Sequence, residues 1–175
     1  MIRLFRLRLL RCDRGSAIIE LAMAAPVLAL MTIGVIDMSN GFSARLAVEQ
    51  GTQRAIEKIM QTTETSTVQG TLKNEVLCQV NGLNEDGTCK TSPLQASDIT
   101  VNFRIECTKD GTMTPQTTDD ADTFDGYECD VGEAEARYIS VSAMQKYTPM
   151  FSTHFLGINA DGSYHVHATA GMRTK

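Results

Sequence analysis

The stretch Gly15-Ser16-Ala17-Ile18-Ile19-Glu20-Leu21 sets a carboxylate just inside a segment otherwise built to enter a bilayer. Between Ala17 and Ile36 the only formal charge is Glu20. About twenty helical residues rising about 1.5 Å each match a hydrocarbon core about 30 Å thick, so this segment is long enough to cross. A charge at the bilayer centre costs about 2.5–3.5 kcal/mol and less towards the interface, which makes an ionisable group here a sign of function or of a partner. Glu20 therefore calls for something that neutralises it.

Before Gly15 lie Arg3, Arg6, Arg8, Arg11 and Arg14 against Asp13, a formal +4. A short arginine-rich flank stays cytoplasmic, which sends the remainder of the chain across the membrane. That remainder holds eleven basic and twenty acidic residues, a formal −9, hidden within an overall charge of −5. Such a balance argues against nucleic-acid binding, which needs clustered Lys and Arg. Cysteine usage points the same way as the export signal. Cys12 lies in the leader, while Cys78, Cys89, Cys107 and Cys129 all follow the apolar run and are even in number, as expected of disulfides formed in an oxidising compartment. Three connectivities are open; the shortest loops come from Cys78 with Cys89 and from Cys107 with Cys129, and these are the pairs expected. The chain is long enough for one small domain besides the apolar segment.

Helical periodicity continues past the apolar run. Phe42, Leu46, Ala55, Ile56, Ile59 and Met60 form one expected apolar stripe, flanked by Arg45, Glu49, Arg54, Glu57 and Lys58. Pro26 forfeits a backbone hydrogen bond and predicts a kink within the span. Thr62 to Thr67 reads as a linker. A second helix is expected over Thr71–Val80, followed by turns at Asn81-Gly82 and Asp86-Gly87. Strict alternation of Ile99, Val101, Phe103, Ile105 and Cys107 with polar residues marks a strand; similar patterns recur around Ile139–Ala143 and Tyr164–Ala170. Lys109 to Gly126, rich in Thr, Asp and Gly, reads as a surface loop. The expected fold class is α+β: a long N-terminal helix on a small antiparallel sheet of three strands with one polar face.

With a basic leader, a Gly, four small or apolar residues and a Glu at the fifth mature position, the junction at Gly15 and Ser16 resembles the leader of type IV pilins and pseudopilins. Within that superfamily the chain is most similar to TadE-like proteins of tight-adherence pilus systems. The similarity rests on Arg14 to Glu20, Ala25-Pro26, Gly34-Val35-Ile36-Asp37 and Ala168-Thr169-Ala170-Gly171-Met172-Arg173. Leu21 departs from the Tyr or Phe common after that glutamate. The resemblance implies a leader, residues 1–15, removed between Gly15 and Ser16 by a prepilin peptidase, a transmembrane helix over residues 16–38 and an exported domain over 39–175. It implies a minor pilin or pseudopilin, because major subunits in these systems are much shorter. Its expected partners are the peptidase, other pilins, the inner-membrane assembly platform and membrane lipid. The expected location is the bacterial inner membrane, with a cytoplasmic N-terminus, a periplasmic domain and access to the extracellular pilus. The amine freed at Ser16 of one subunit would meet Glu20 of a neighbour, each removing the other's desolvation penalty.

Other constellations point less far. Ala22-Met23-Ala24 imitates a signal-peptidase site, but cutting there leaves an apolar run from Ala25 on the product. Cys12 lacks the upstream apolar core that lipidation requires. Asp119, Asp120, Asp122 and Asp125 offer oxygen ligands for Ca²⁺ in an order that does not fit an EF-hand. His165 and His167 share a strand face and would need His154 to begin a metal site. Tyr147 to Phe151, with Phe155 and Leu156, forms an apolar connection suited to docking or burial. No nucleophile elbow is present. The expectation is assembly, with no enzymatic activity, resident metal or cofactor; the alternative is a periplasmic binding or sensing domain that the helix tethers without peptidase processing.

Overall fold

In the computed structural model, described over residues 16–61, 68–150 and 159–175, helix α1 runs Ser16–Gln61 and helix α2 Val68–Asn81. The chain divides into two compact units between Asn40 and Gly41, within the length of α1. Residues 1–15 and 62–67, where a leader and a linker were expected, and residues 151–158, with Phe151, His154, Phe155 and Leu156, lie outside the described residues.

The N-terminal unit contributes the first part of α1. Its helix continues through Pro26, where a kink was expected. Thr32 donates its hydroxyl to Leu28 C=O at 2.8 Å, a bond that satisfies a polar side chain within an apolar helix.

The second unit is an α+β domain. Strands β1 (Ile99–Lys109), β2 (Thr112–Thr118), β3 (Ala134–Tyr147) and β4 (Tyr164–Arg173) form one antiparallel sheet in the order β2-β1-β3-β4. Inward residues Ile99, Val101, Phe103 and Ile105 of β1, with Ile139, Val141 and Ala143 of β3, share a core with Val48, Ala55, Ile56 and Ile59 of α1 and Leu72 and Val76 of α2. The period-2 pattern of each strand thus meets the helical stripes that cover it.

The stripe on α1 differs from the expected one. Val48, Thr52, Ala55, Ile56 and Ile59 are buried, whereas Phe42, Leu46 and Met60 are exposed. A helix turns 100° per residue, so positions 48, 52, 55, 56 and 59 share a face that excludes 42, 46 and 60. Gly51 lies on the buried face, where an added Cβ would stand 2.9 Å from a Val80 methyl carbon; its lack of a side chain is what lets α2 approach.

The expected loop Lys109–Gly126 is instead β2 and a short helix, α3 (Ala121–Gly126), so the sheet has four strands where three were expected. Asp110 and Gly111 both take positive φ, 51° and 81°, the two-residue turn that joins β1 to β2. Phe124 of α3 is buried, its ring 5.0 Å from that of Phe103. Arg137 of β3 then fastens the far end of α3: its guanidinium donates to Phe124 C=O at 2.8 Å and to Tyr127 C=O, lies over the Phe124 ring and pairs with Glu135. The cation sits where a helix C-terminus presents unpaired carbonyls.

Two disulfides tie down the connections. Cys78 of α2 is joined to Cys89, and Cys107 near the end of β1 to Cys129 beyond α3. Within the first of these connections the buried amide of Asn81 donates to Lys90 C=O and Leu94 C=O, both at 2.7 Å, and accepts from Leu94 N–H at 2.8 Å. Leu94, fully buried, is held in the core by those bonds.

Candidate functional site

Helix α1 opens at Ser16, and Glu20 follows one turn later on its exposed surface. Around it Ile18, Ile19, Leu21, Met23, Val27, Leu28 and Leu30 are all exposed, Ile18 at 70% and Leu30 at 67%. Large apolar side chains in such number and continuity are out of place in water and at home in lipid or against other apolar helices. By length and composition this helix can cross a membrane, and none of its most apolar window is buried within the protein. The part that precedes Ser16, including Gly15, lies outside the described residues.

Two of the remaining candidates, Asp120 and His165, make contacts within the domain. Asp120 caps α3, accepting from Thr123 N–H at 3.0 Å, and that hydrogen-bonded side chain holds its carboxyl below the usual carboxylate range. No three of Asp119, Asp120, Asp122 and Asp125 bring ligand oxygens within 4.8 Å of one another. Among the described residues the one group with that proximity is Cys107, Cys129 and Glu133, and the two sulfurs are already joined to each other. His165 faces Asp161, with Nε2 to Oδ2 at 3.0 Å, and its ring lies 6.4 Å from that of His167. The Asp161 carboxyl is held far below its ordinary range, first by His165 and then by the Ser163 hydroxyl, which donates at 2.7 Å. Lys146 of β3 stands 3.6 Å from the same carboxylate. These contacts close the mouth of the β3–β4 hairpin, and they occupy His165.

Similarity to known proteins falls on the helix that carries Glu20. The TadE-like protein family matches this chain over residues 15–56. No curated protein and no solved structure matches it. The TadE-like match begins at Gly15, takes in Ser16, Glu20 and the whole apolar run, and ends on the buried stripe of α1. It leaves the sheet, both disulfides and the acidic segment outside, so the part of the chain with TadE-like character is the helix.

Three groups that organise the domain were not singled out from the sequence: Asn81, Arg137 and Asp161. In the sequence Asn81 reads only as part of a turn, and the Asp161-Gly162-Ser163 turn and the Arg137 anchor gain meaning only once the strands are paired.

Proposed function

We propose that the chain is a minor pilin or pseudopilin that takes part in initiating or capping a tight-adherence pilus. The observation that carries this reading is the TadE-like match falling on a helix whose apolar residues are uncovered, with Glu20 among them. On this reading a prepilin peptidase cuts between Gly15 and Ser16 after the helix has entered the inner membrane. The cut leaves a charged amine at Ser16. Packed beside another pilin helix and staggered along it, that amine meets the Glu20 carboxylate of its neighbour, or the reverse. An unpaired charge in lipid is far costlier than a paired one, so the contact sets the register of the helices even where its net stabilisation is small. The disulfide-tied domain then lies in the periplasm or at an end of the filament, and the protein works by assembly.

Gly15→Ala tests the first step. Retention of the leader, seen as a leader-sized shift in an immunoblot of the membrane fraction, is the expected result; unchanged mobility relative to wild type leaves the alternative of an unprocessed tether for a periplasmic binding domain. Glu20→Ala tests the second. It is expected to leave membrane insertion intact and to reduce recovery with sheared filaments, whereas undiminished recovery removes the register role.

A further inference from the structure

Chain continuity limits how far the start of the second unit can stand from the end of the apolar run. The run closes at Ile36, ahead of Asp37, and Gly41 opens the second unit five residues after Ile36. Five helical residues rise about 7.5 Å. A bilayer about 40–45 Å thick with a hydrocarbon core of about 30 Å has a headgroup layer of about 5–7 Å on each side. With the apolar run filling the core, a side chain packed beside Gly41 therefore lies close to headgroup level.

Tyr147 is that side chain. A Cβ at Gly41 would stand 3.5 Å from its Cε1, and Tyr164 faces Tyr147 across the last pair of the β3–β4 ladder, on the same side of the sheet. Both tyrosines are half-buried. Beyond Tyr147, Met150 is 73% exposed, and next to Gly41 on α1 so is Phe42, at 53%. Cations at this end are matched by acids: Arg45 pairs with Glu49, and Lys146 and His165 face Asp161. The other half of the sheet is unlike it. Residues 119–135 hold eight acids and no Lys or Arg. They are fastened there by Phe124 against Phe103, which pairs with Ile139, and by Cys129 joined to Cys107, which pairs with Glu135. From Ile139 to Tyr147 is eight residues, about 26 Å of extended strand.

We propose that, before assembly, the β3–β4 end of the domain marked by Tyr147 and Tyr164 rests on the bilayer interface, with both tyrosines at the level of the lipid headgroups and the acid-rich half of the sheet turned away. Tyrosine suits that level because its ring is apolar while its hydroxyl stays wet, and it is enriched there in membrane proteins. Exposed Met150 and Phe42 gain apolar cover in the same layer. Paired charges are far cheaper to bring against lipid than a stretch of eight acids with no cation of its own, which fixes the end that faces the membrane. The partner is thus a lipid surface, met at a height that α1 sets. The inference rests on the apolar run crossing a membrane and is independent of leader removal.

The chain contains no Trp, so single-Trp variants each report on one place. The full chain is reconstituted in vesicles of phosphatidylcholine and phosphatidylglycerol, with part of the lipid brominated near the headgroup end of its acyl chains. Tyr164→Trp is expected to lose at least half of its emission relative to unbrominated vesicles. Val131→Trp, in the turn before β3 and 98% exposed in the wild type, is expected to keep nearly all of it. Val35→Trp reports on the span itself and is expected to be quenched. Should Tyr164→Trp melt early, Met150→Trp is read in its place with the same expectation. A quenched Val35→Trp beside an unquenched reporter at the β3–β4 end overturns this inference alone, whereas an unquenched Val35→Trp overturns the membrane crossing and this inference with it. Two further results overturn it: quenching of Val131→Trp to the same degree, or quenching at the β3–β4 end that fades as protein density in the vesicle rises, which would assign that end to a second copy.

Discussion

Helix α1 is one element with two kinds of surface. Up to Asn40 its large apolar residues are open, with Val35 at 69% exposure; beyond Gly41 the buried face holds Val48 and Ala55 at 0%. Backbone conformation is the same on both sides of that division. What differs is the supply of apolar residues, 17 of the 25 residues 16–40 against 9 of the 21 residues 41–61, and their periodicity. The first part is apolar on every side, as suits a helix surrounded by lipid or by other helices, whereas the second confines its buried residues to one stripe against a sheet. The domain is thus stabilised by residues after Gly41, and the earlier ones are free to serve an environment outside the protein.

Truncating one leucine on each side gives the widest contrast. Leu72→Ala, at a fully buried site that packs with the α1 stripe, is expected to cost the domain about 2–5 kcal/mol in denaturant unfolding of the full chain in detergent. Leu30→Ala is expected to change the same transition by less than about 0.5 kcal/mol. Equal losses would erase the distinction between the two parts of α1.

Next come the disulfides, both of which lie in the unit after Gly41. Removing either Cys78–Cys89 or Cys107–Cys129 by paired Cys→Ser substitution is expected to cost about 3 kcal/mol by chain entropy, judged from loops of 11 and 22 residues. Thermal unfolding of the substituted chain with and without reductant measures it; reductant should shift wild type and leave the variant lacking both pairs unmoved. A smaller effect is expected at Asn81. Asn81→Ala strips the buried Leu94 N–H of its partner and is expected to cost about 1–3 kcal/mol in the same unfolding assay, with proteolysis accelerated between Gly82 and Leu94.

The smallest effect is electrostatic. Asp161 and Glu135 are both held below the ordinary carboxylate range, the first chiefly by His165 and the second chiefly by Arg137 with Lys175. A depressed folded-state pKa means that the unfolded chain takes up the proton first. Both groups therefore contribute stability above about pH 4 that is lost as pH falls through their folded values. Asp161→Asn is expected to flatten the acid limb of a melting-temperature profile between about pH 5 and pH 2 without moving the neutral end. An unaltered limb would show that the turn does not depend on that charge.

Legibility in the sequence followed the strength of each periodic signal. The apolar run, the strand at Ile99–Cys107 and the second helix could be read because burial imposes 3.6 or 2 as a period. β2 could not, since Thr112–Thr118 is almost wholly exposed and no alternation is written into it; the usable signal was the Asp110-Gly111 dipeptide, a two-residue hairpin turn. The stripe on α1 was misphased because Phe42, Leu46 and Met60 are apolar without being buried, while Thr52 is buried without being apolar. Of the candidate site, Ser16 and Glu20 were legible because a charge interrupts an apolar run. Arg137 and Asn81 were not, because their partners are main-chain carbonyls that only the folded chain brings near.

The central claim is that the uncovered helix is completed by a neighbour after the leader is removed. Mass spectrometry of the N-terminus of protein purified from native membranes tests it most directly. A chain beginning at Ser16 is the predicted result, and a chain that retains Arg3 to Arg14 would contradict the account.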